Sequence, residues 1–240
     1  MTMVVTTNAL TIAMTPVSGR GCRAAAPPHE ETMSRFTGPR VKIVRRFGGI
    51  DLPGLTRKTK WAQNRPFPPG QHGRNTRPGK KSDYRVRLEE KQKLRFYYGL
   101  RERQLMRYMR QSVKAKGNTG ENLLKVLESR LDNIIFRLGL SPTIPAARQL
   151  VNHGHVTING KKVDVASYRV KAGDEVGLRN KEKSQKLGAL WAEEPVLAMP
   201  SHLEFDKKTL TGRVIDLPSR AAVPFELNEQ LIVEYYSQRV

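Results

Sequence analysis

The chain has 240 residues and carries 43 Lys and Arg against 22 Asp and Glu, a formal net charge of +21. No run approaches the roughly 18 apolar residues of a membrane span, and the single cysteine, Cys22, excludes an intramolecular disulfide and a zinc site built on thiolates. The positive charge predicts a polyanionic partner, with nucleic acid favoured over an anionic membrane.

Residues 1–32 are neutral overall and rich in Thr and Ala. Three interpretations are open: an organelle transit peptide, a disordered tail, and translated sequence upstream of the true start. Because the segment holds only two arginines, a strong transit peptide is disfavoured. We expect a dispensable extension that ends before Met33, where the amino-acid composition changes.

Most of the excess charge lies in residues 33–126, whose net charge is +19. Within them, residues 33–81 are rich in Gly, Pro, Arg and Lys and are not expected to bury a core unaided. A flexible linker is one interpretation, but Trp61 and Phe67 favour a basic extended arm that becomes ordered on its partner. Its cations can line a phosphate surface: Arg40, Lys42, Arg45, Arg46, Arg74, Arg77, Lys80 and Lys81.

Three helices are predicted between residues 82 and 139. Ser82 is a favourable N-cap for the first, which ends near Gly99, and the second covers residues 101–116. The third runs without a break from about Thr119 to Gly139, because its apolar residues repeat on one face. Those residues are Leu124, Leu127, Leu131, Ile134 and Leu138.

Smaller elements follow. Pro145 and Gly154 frame a short helix, and Asn159-Gly160 predicts the tight turn of a β-hairpin. A second turn precedes a strand at residues 175–178, so two helices followed by a small curled sheet are expected here. Residues 231–236, Leu-Ile-Val-Glu-Tyr-Tyr, predict a β-strand near the end of the chain.

The common signatures of enzyme sites are absent from the sequence. It has no phosphate-cradling Gly-rich loop, no Gly-x-Ser-x-Gly elbow and no His-Glu-x-x-His motif. His153 and His155 flank Gly154, but no third ligand stands near, so a surface or RNA-contacting role is favoured over a metal site. We therefore expect no enzyme, no metal, no cofactor and no small-molecule substrate.

Residues 128–180 contain three motifs in order: Arg130-Leu-Asp132, Ala147-Arg-Gln-Leu-Val151 and Gly154-His-Val-Thr-Ile-Asn-Gly160. Their order and spacing closely resemble the S-four domain, the RNA-binding module named after the fourth protein of the small ribosomal subunit. Donors on such a rigid scaffold suit the phosphates and 2′-hydroxyls of folded RNA. The predicted donors are Arg148, Asn152, His153, His155, Lys161 and Lys162. Charge reversal by Arg148→Glu is expected to weaken RNA binding and to leave the fold intact.

The S-four domain also occurs in pseudouridine synthases, tyrosyl-tRNA synthetases and small RNA-binding heat-shock proteins. The surrounding sequence, however, resembles the ribosomal protein family itself, most closely its cyanobacterial and plastid versions. The resemblance covers residues 33–239, and the segments that carry it are 33–48, 68–73, 80–99, 200–206 and 233–237.

The resemblance implies an α+β fold. Its expected parts are the basic arm at 33–81, a helical rRNA-binding domain at 82–127, the S-four module at 128–190 and a C-terminal segment at 191–240. The module is expected to hold two helices on a small, mostly antiparallel sheet, and the C-terminal segment to fold back on the helical domain. Further phosphate contacts are expected from Arg35, Lys58, Arg85 and Arg87.

The resemblance also implies a structural, non-catalytic function. Members bind the 16S-type rRNA of the small subunit early, at its 5′ domain, nucleate subunit assembly, and contribute to translational accuracy. The expected protein partners are S-three, S-five and S-twelve, with no membrane contact, in a cytoplasmic ribosome or alternatively a chloroplast ribosome. An RNA-modifying enzyme would need a catalytic domain that about 60 residues after 180 cannot house. An RNA chaperone, the other alternative, would be found apart from intact ribosomes.

Overall fold

The computed structural model describes residues 36, 38–50, 52–56, 65–75 and 79–237. The predictions made for the leader 1–32, for Trp61 and for three expected phosphate ligands, Arg35, Lys58 and Arg77, lie outside these residues. The described part contains eight α-helices and a five-stranded antiparallel sheet, which confirms the α+β fold class.

The first four helices are α1 (Arg40–Arg46), α2 (Asp83–Tyr97), α3 (Glu102–Lys114) and α4 (Thr119–Glu128). α2 begins as predicted, because the hydroxyl oxygen of Ser82 accepts a hydrogen bond from the backbone N–H of Arg85 at 3.4 Å. α3 lies within the range predicted for the second helix. It packs against α4 through its apolar side, which leaves the other side of α3 exposed.

The prediction of one unbroken helix to Gly139 is wrong. α4 ends at Glu128, and a new helix, α5 (Leu131–Arg137), follows it. The break arises because Arg130 is extended and forms a β-bridge with Arg169, while the backbone N–H of Leu131 donates to Tyr168 at 2.9 Å. A non-local strand-like pairing therefore interrupts the helix, although all five apolar residues of the predicted face are buried.

The S-four module continues with α6 (Ile144–Asn152), which the hydroxyl of Thr143 caps by accepting from the N–H of Ala146 at 3.3 Å. β1 (Val156–Ile158) and β2 (Lys161–Lys162) form the predicted hairpin. Asn159 and Gly160 both have positive φ, +48° and +78°, as this tight turn requires.

Three strands from later in the chain complete the sheet. They are β3 (Glu175–Leu178), β4 (Leu203–Asp206) and β5 (Thr211–Val214), and the strand order is β2-β1-β3-β5-β4 with every pair antiparallel. A helix that the sequence did not predict, α7 (Glu182–Ala192), lies between β3 and β4 and contacts β3. Two strands of the expected C-terminal segment thus pair within the sheet of the module, and the expected boundary at residue 190 stays a prediction.

The strand predicted at residues 231–236 is also wrong: these residues lie in a helix, α8 (Glu229–Ser237). Its buried side chains are Ile232, Tyr235 and Tyr236, whose i, i+3, i+4 spacing directs one helical face toward the core. Asn228 accepts hydrogen bonds from two N–H groups of the first turn. α8 packs on α2 and α4, so tertiary burial overrides the strand preference of the β-branched and aromatic residues.

The described part of the arm contributes to a core that it shares with the helices, a packing that the sequence did not predict. Five arm residues are buried with the helices: Ile43, Val44, Phe47, Leu52 and Leu55. The backbone carbonyl of Gly54 accepts a hydrogen bond from the N–H of Ile144 at 2.9 Å. These arm residues are therefore ordered by the rest of the chain itself.

Leu131 provides a test of the core at the break between α4 and α5, because its side chain is fully buried. Leu131→Ala is expected to lower the free energy of unfolding by about 2–5 kcal/mol, through lost burial and the cavity left behind. Urea denaturation measures this change. Leu187→Ala is a matched control, since Leu187 is 41% exposed and its truncation leaves no enclosed cavity. Equal losses in the two variants would contradict the packing described here.

Candidate nucleic-acid interface

Four of the predicted donors are exposed where α6 ends and the hairpin begins: Asn152, His153, Lys161 and Lys162. His155 is half-buried, and its Nδ1 lies 2.9 Å from the hydroxyl of the buried Ser184 on α7. This contact fixes the ring of His155, which stands 6.1 Å from that of His153. The structure thus groups amide, imidazole and ammonium groups at one edge of the module.

Gly154 makes this grouping sterically possible. Its φ is +70°, and a Cβ built there would lie 2.3 Å from Cε of Lys162. The Lys162 side chain therefore crosses directly over the backbone between the two histidines. A larger residue at 154 would displace Lys162 as well as strain the turn.

Arg148 stands apart from this exposed group. Its guanidinium is paired with the buried carboxylate of Asp132 at 2.7 Å and donates to the backbone carbonyls of Tyr98 and Gly99 at 3.1 and 2.8 Å. The side chain thus ties α6 of the module to the end of α2. These contacts argue against the expectation that Arg148→Glu leaves the fold intact, and contact between Arg148 and RNA stays a prediction.

Asp132 also holds Arg130, a fully buried arginine, in a two-pronged ion pair with N–O distances of 3.0 and 2.6 Å. The remaining nitrogen of Arg130 donates to the hydroxyl of Tyr108 on α3 at 2.6 Å. Burial alone would lower the pKa of Arg130, but the charge of Asp132 and the hydrogen bonds to it raise the pKa above its ordinary value. The charged guanidinium of Arg130 therefore joins the module to Tyr108 of α3.

A second buried cluster centres on Glu128. Its carboxylate accepts hydrogen bonds from Tyr98, Asn133 and Arg137, the last at 3.0 Å. Arg137 also donates to the carbonyl of Ala222 at 2.8 Å, which fixes the chain before α8. Burial, and then the charge of Glu128, raise the pKa of Tyr98 well above its ordinary value, so the phenol stays protonated and donates.

Sequence reasoning missed the extent of both clusters. It placed Arg130 and Asp132 within a motif, and it named neither Glu128 nor Arg137 as a functional residue. The available signal was that four charged residues, Glu128, Arg130, Asp132 and Arg137, fall within the ten positions 128–137 along the apolar face, where a solvated charge is not expected. These buried side chains join the module to α2, α3 and the chain before α8.

The arm cations divide into two groups. Arg45 donates to the carbonyls of Arg65 and Phe67 at 2.8 and 2.9 Å, and Arg40 reaches the carbonyl of Leu55 at 3.5 Å, so both help to hold the arm in place. Four other predicted phosphate ligands of the arm are exposed and form no ion pair with a carboxylate of the described residues: Lys42, Arg46, Arg74 and Lys80.

The cations around the start of α2 are paired. Lys81 and Arg85 both contact Glu89, at 2.6 and 3.0 Å, and Arg87 contacts Glu234 of α8 at 2.7 Å. Exposed pairs of this kind are worth little in stability and are easily exchanged for another anion. Their carboxylates nevertheless lower the local positive charge, so we expect this region to be a weaker phosphate site than the unpaired arm cations.

None of the helices in the described residues is long and apolar enough to cross a membrane. In the same part of the chain, no three His, Cys, Asp or Glu side chains are grouped as they would be around a metal ion.

An antiparallel sheet that follows two helices, with exposed donors and cations at one edge, matches the architecture expected of the S-four class of RNA-binding modules. The family described as "Ribosomal protein S4/S9 N-terminal domain" matches residues 35–128, and the "S4 domain" matches residues 129–176. The chain is also 57% identical over 208 residues to "Small ribosomal subunit protein uS4" of a Synechococcus strain, which covers 87% of this chain and 100% of that protein. The chain belongs to the uS4 family of ribosomal proteins.

Two other relatives of the same name give the same result. The protein of Synechococcus elongatus is 56% identical over 209 residues, and that of Nostoc punctiforme is 55% identical over 208. They cover 87% and 86% of this chain, and 100% of each relative is matched. The predicted family, with its cyanobacterial character, is confirmed, and so is the prediction of a ribosomal protein rather than an enzyme.

Proposed function

We propose that the chain is a structural constituent of the small ribosomal subunit that binds 16S-type rRNA. It would bind early at the 5′ domain, nucleate subunit assembly and contribute to translational accuracy. The observation that carries the proposal is the edge formed by the exposed side chains of Asn152, His153, Lys161 and Lys162 beside the half-buried His155, in a chain of this family. These groups can donate hydrogen bonds to phosphates and 2′-hydroxyls.

Rigidity of this edge supports recognition by shape. The buried ion pairs of Asp132 and Glu128 connect the module to α2, α3 and the chain before α8. A donor set held in one geometry loses less entropy when a folded RNA binds. The unpaired arm cations supply a sequence-independent attraction for the phosphate backbone.

The neighbouring ribosomal proteins S-three, S-five and S-twelve are proposed as protein partners. A groove beside α8 supports such contacts, because it is lined by Glu90, Glu121, Glu226, Glu229 and Glu234 and by only a few cations. This is a locally acidic surface on a strongly basic chain, and charge complementarity favours a basic neighbour there over RNA. We place the protein in a cytoplasmic ribosome, with a chloroplast ribosome as the alternative.

The proposal predicts strongly salt-dependent binding. The full chain should bind a transcript of the small-subunit 5′ domain, and the logarithm of its affinity should fall by about 0.7–0.9 per neutralised phosphate as the logarithm of the salt concentration rises. Filter binding over a salt series measures this slope. A large-subunit rRNA transcript of equal length is the control and should bind more weakly at every salt concentration.

Sedimentation tests the same proposal in the cell. The protein should comigrate with small subunits in a sucrose gradient, in stoichiometric amount. An RNA chaperone would instead be found apart from intact subunits. Affinity that hardly changes with salt, or absence from the small-subunit fraction, would refute the proposed function.

A further inference from the structure

The turn between β1 and β2 contains the one Asn-Gly sequence of the chain, Asn159-Gly160. Asparagine is a chemically labile residue, and a glycine after it obstructs attack on its amide least, because glycine has no Cβ. Both residues are exposed, and a Cβ built on Gly160 would meet nothing within 4 Å. The backbone around Gly160 is therefore open to solvent.

The reaction that this sequence permits is deamidation. The backbone nitrogen of Gly160, after losing its proton to a base in solution, forms a bond with Cγ of Asn159. The Cγ–Nδ2 bond then breaks, and the amide nitrogen takes up a proton and leaves as ammonia. One water molecule opens the resulting cyclic imide to give aspartate or isoaspartate. Among the described residues no group accepts a hydrogen bond from the N–H of Gly160, so this nitrogen is unrestrained.

The side-chain amide of Asn159, in contrast, is held at both of its polar atoms. Its Nδ2 donates to a carboxylate oxygen of Asp174 at 2.9 Å, and its Oδ1 accepts from the backbone N–H of Glu175 at 2.9 Å. Asp174 is itself fixed, because its other carboxylate oxygen accepts from the N–H of Lys171 at 2.9 Å. The labile amide is therefore attached to the turn before β3.

The carboxylate of Asp174 opposes deamidation in two ways. Its hydrogen bond with Nδ2 must break before ammonia can leave, and a hydrogen bond to a charged group is stronger than one between neutral groups. Its charge also repels the negative charge that develops on the nitrogen of Gly160 and then on Oδ1 of Asn159. Removal of this carboxylate should therefore make the amide more reactive.

We propose that Asn159-Gly160 is a site of hydrolytic deamidation, which needs only water as co-reactant and which Asp174 restrains in the folded chain. The product carboxylate would face that of Asp174 without the Nδ2 donor, so the link between the hairpin and the turn before β3 would be lost. Isoaspartate would also lengthen the backbone of the two-residue turn, on which the β1–β2 register depends.

Deamidation also changes the charge of the edge formed by the exposed donors. Lys161 and Lys162 follow the turn directly, so a new carboxylate at position 159 offsets part of their positive charge. A negative charge at this point repels phosphate. The expected consequence is weaker rRNA binding, and this consequence, unlike the deamidation itself, rests on the proposed function.

Peptide mapping by mass spectrometry measures the rate of deamidation at Asn159 in the full chain at mildly alkaline pH. Asp174→Ala is expected to react roughly tenfold faster than the wild type, a factor that corresponds to one lost hydrogen bond to a charged group. Asp206→Ala is the matched control and should react at the wild-type rate. Asp206 also accepts hydrogen bonds within its own turn, but it belongs to β4, at the opposite edge of the sheet from the hairpin.

Two further measurements exclude a simple effect of unfolding. Asp174→Asn keeps an acceptor oxygen without the charge and should give an intermediate rate, and thermal melting confirms that each variant is folded. In urea, the unfolded wild type and Asp174→Ala should react equally fast, and both faster than the folded wild type. If folded Asp174→Ala reacted no faster than the folded wild type, the proposal would be overturned.

The effect on rRNA is tested separately with Asn159→Asp, which carries the charge of the product. Filter binding to a transcript of the small-subunit 5′ domain should be about fivefold weaker than for the wild type at about 0.15 M salt, as for one lost phosphate contact. Wild-type affinity in this variant would overturn the effect on rRNA binding. Failure of the wild-type chain to select the transcript would instead refute the proposed function, whereas the deamidation rates would be unaffected.

Discussion

Arg137→Met is expected to lower the free energy of unfolding by about 3–5 kcal/mol, because it leaves the carboxylate of Glu128 buried without its cation. Side chains of both residues are almost completely buried, and their N–O distance is 3.0 Å. The hydrogen bonds that Tyr98 and Asn133 donate would remain, but they do not replace a full positive charge. The carbonyl of Ala222 would also lose its donor, so the chain before α8 should become more exposed to protease.

A double variant separates the ion pair from simple loss of packing. Glu128→Gln/Arg137→Met removes both charges, so it should be more stable than Arg137→Met alone and lie closer to the wild type. Urea denaturation of the wild type, both single variants and the double variant gives the coupling energy between the two residues. Additive effects of the two single changes would show that the ion pair contributes no specific stability here.

Local signals predicted the start of α2, the extent of α6 and the hairpin. Ser82 caps α2, Pro145 and Gly154 frame α6, and Asn159-Gly160 forms the β1–β2 turn, because each of these signals acts on the backbone close to itself. The errors came from partners far along the chain. The pairing of Arg130 with Arg169 divides the third helix, and contact with α2 and α4 makes residues 231–236 helical.

The same distinction applies to the candidate site. His153 and Lys161 follow local turns, so their exposure could be foreseen from the sequence. The orientation of Arg148 could not be foreseen from the sequence, because its partners Asp132, Tyr98 and Gly99 are 16 to 50 positions away along the chain. A motif match indicates which residue types recur at a position, whereas long-range contacts decide whether a cation meets RNA or a buried carboxylate.

Arg148→Glu should therefore act first on stability, with an expected loss of about 3 kcal/mol or more. The new carboxylate would face that of Asp132, and the carbonyls of Tyr98 and Gly99 would lose their donor. Arg130 would then be the remaining cation on Asp132. Thermal melting should show a lower midpoint, and rRNA binding should weaken as the link between α6 and α2 loosens.

Lys161→Glu provides the matched comparison, because it makes the same change in charge at an exposed hairpin position. It should weaken rRNA binding through repulsion of phosphate and leave the melting midpoint close to that of the wild type. The two variants thus distinguish a cation that contacts RNA from one that holds α6 against the end of α2. If Arg148→Glu melted like the wild type while its rRNA binding fell, the ion pair with Asp132 would not contribute to stability. Arg148 would then be grouped with the exposed side chains that contact RNA.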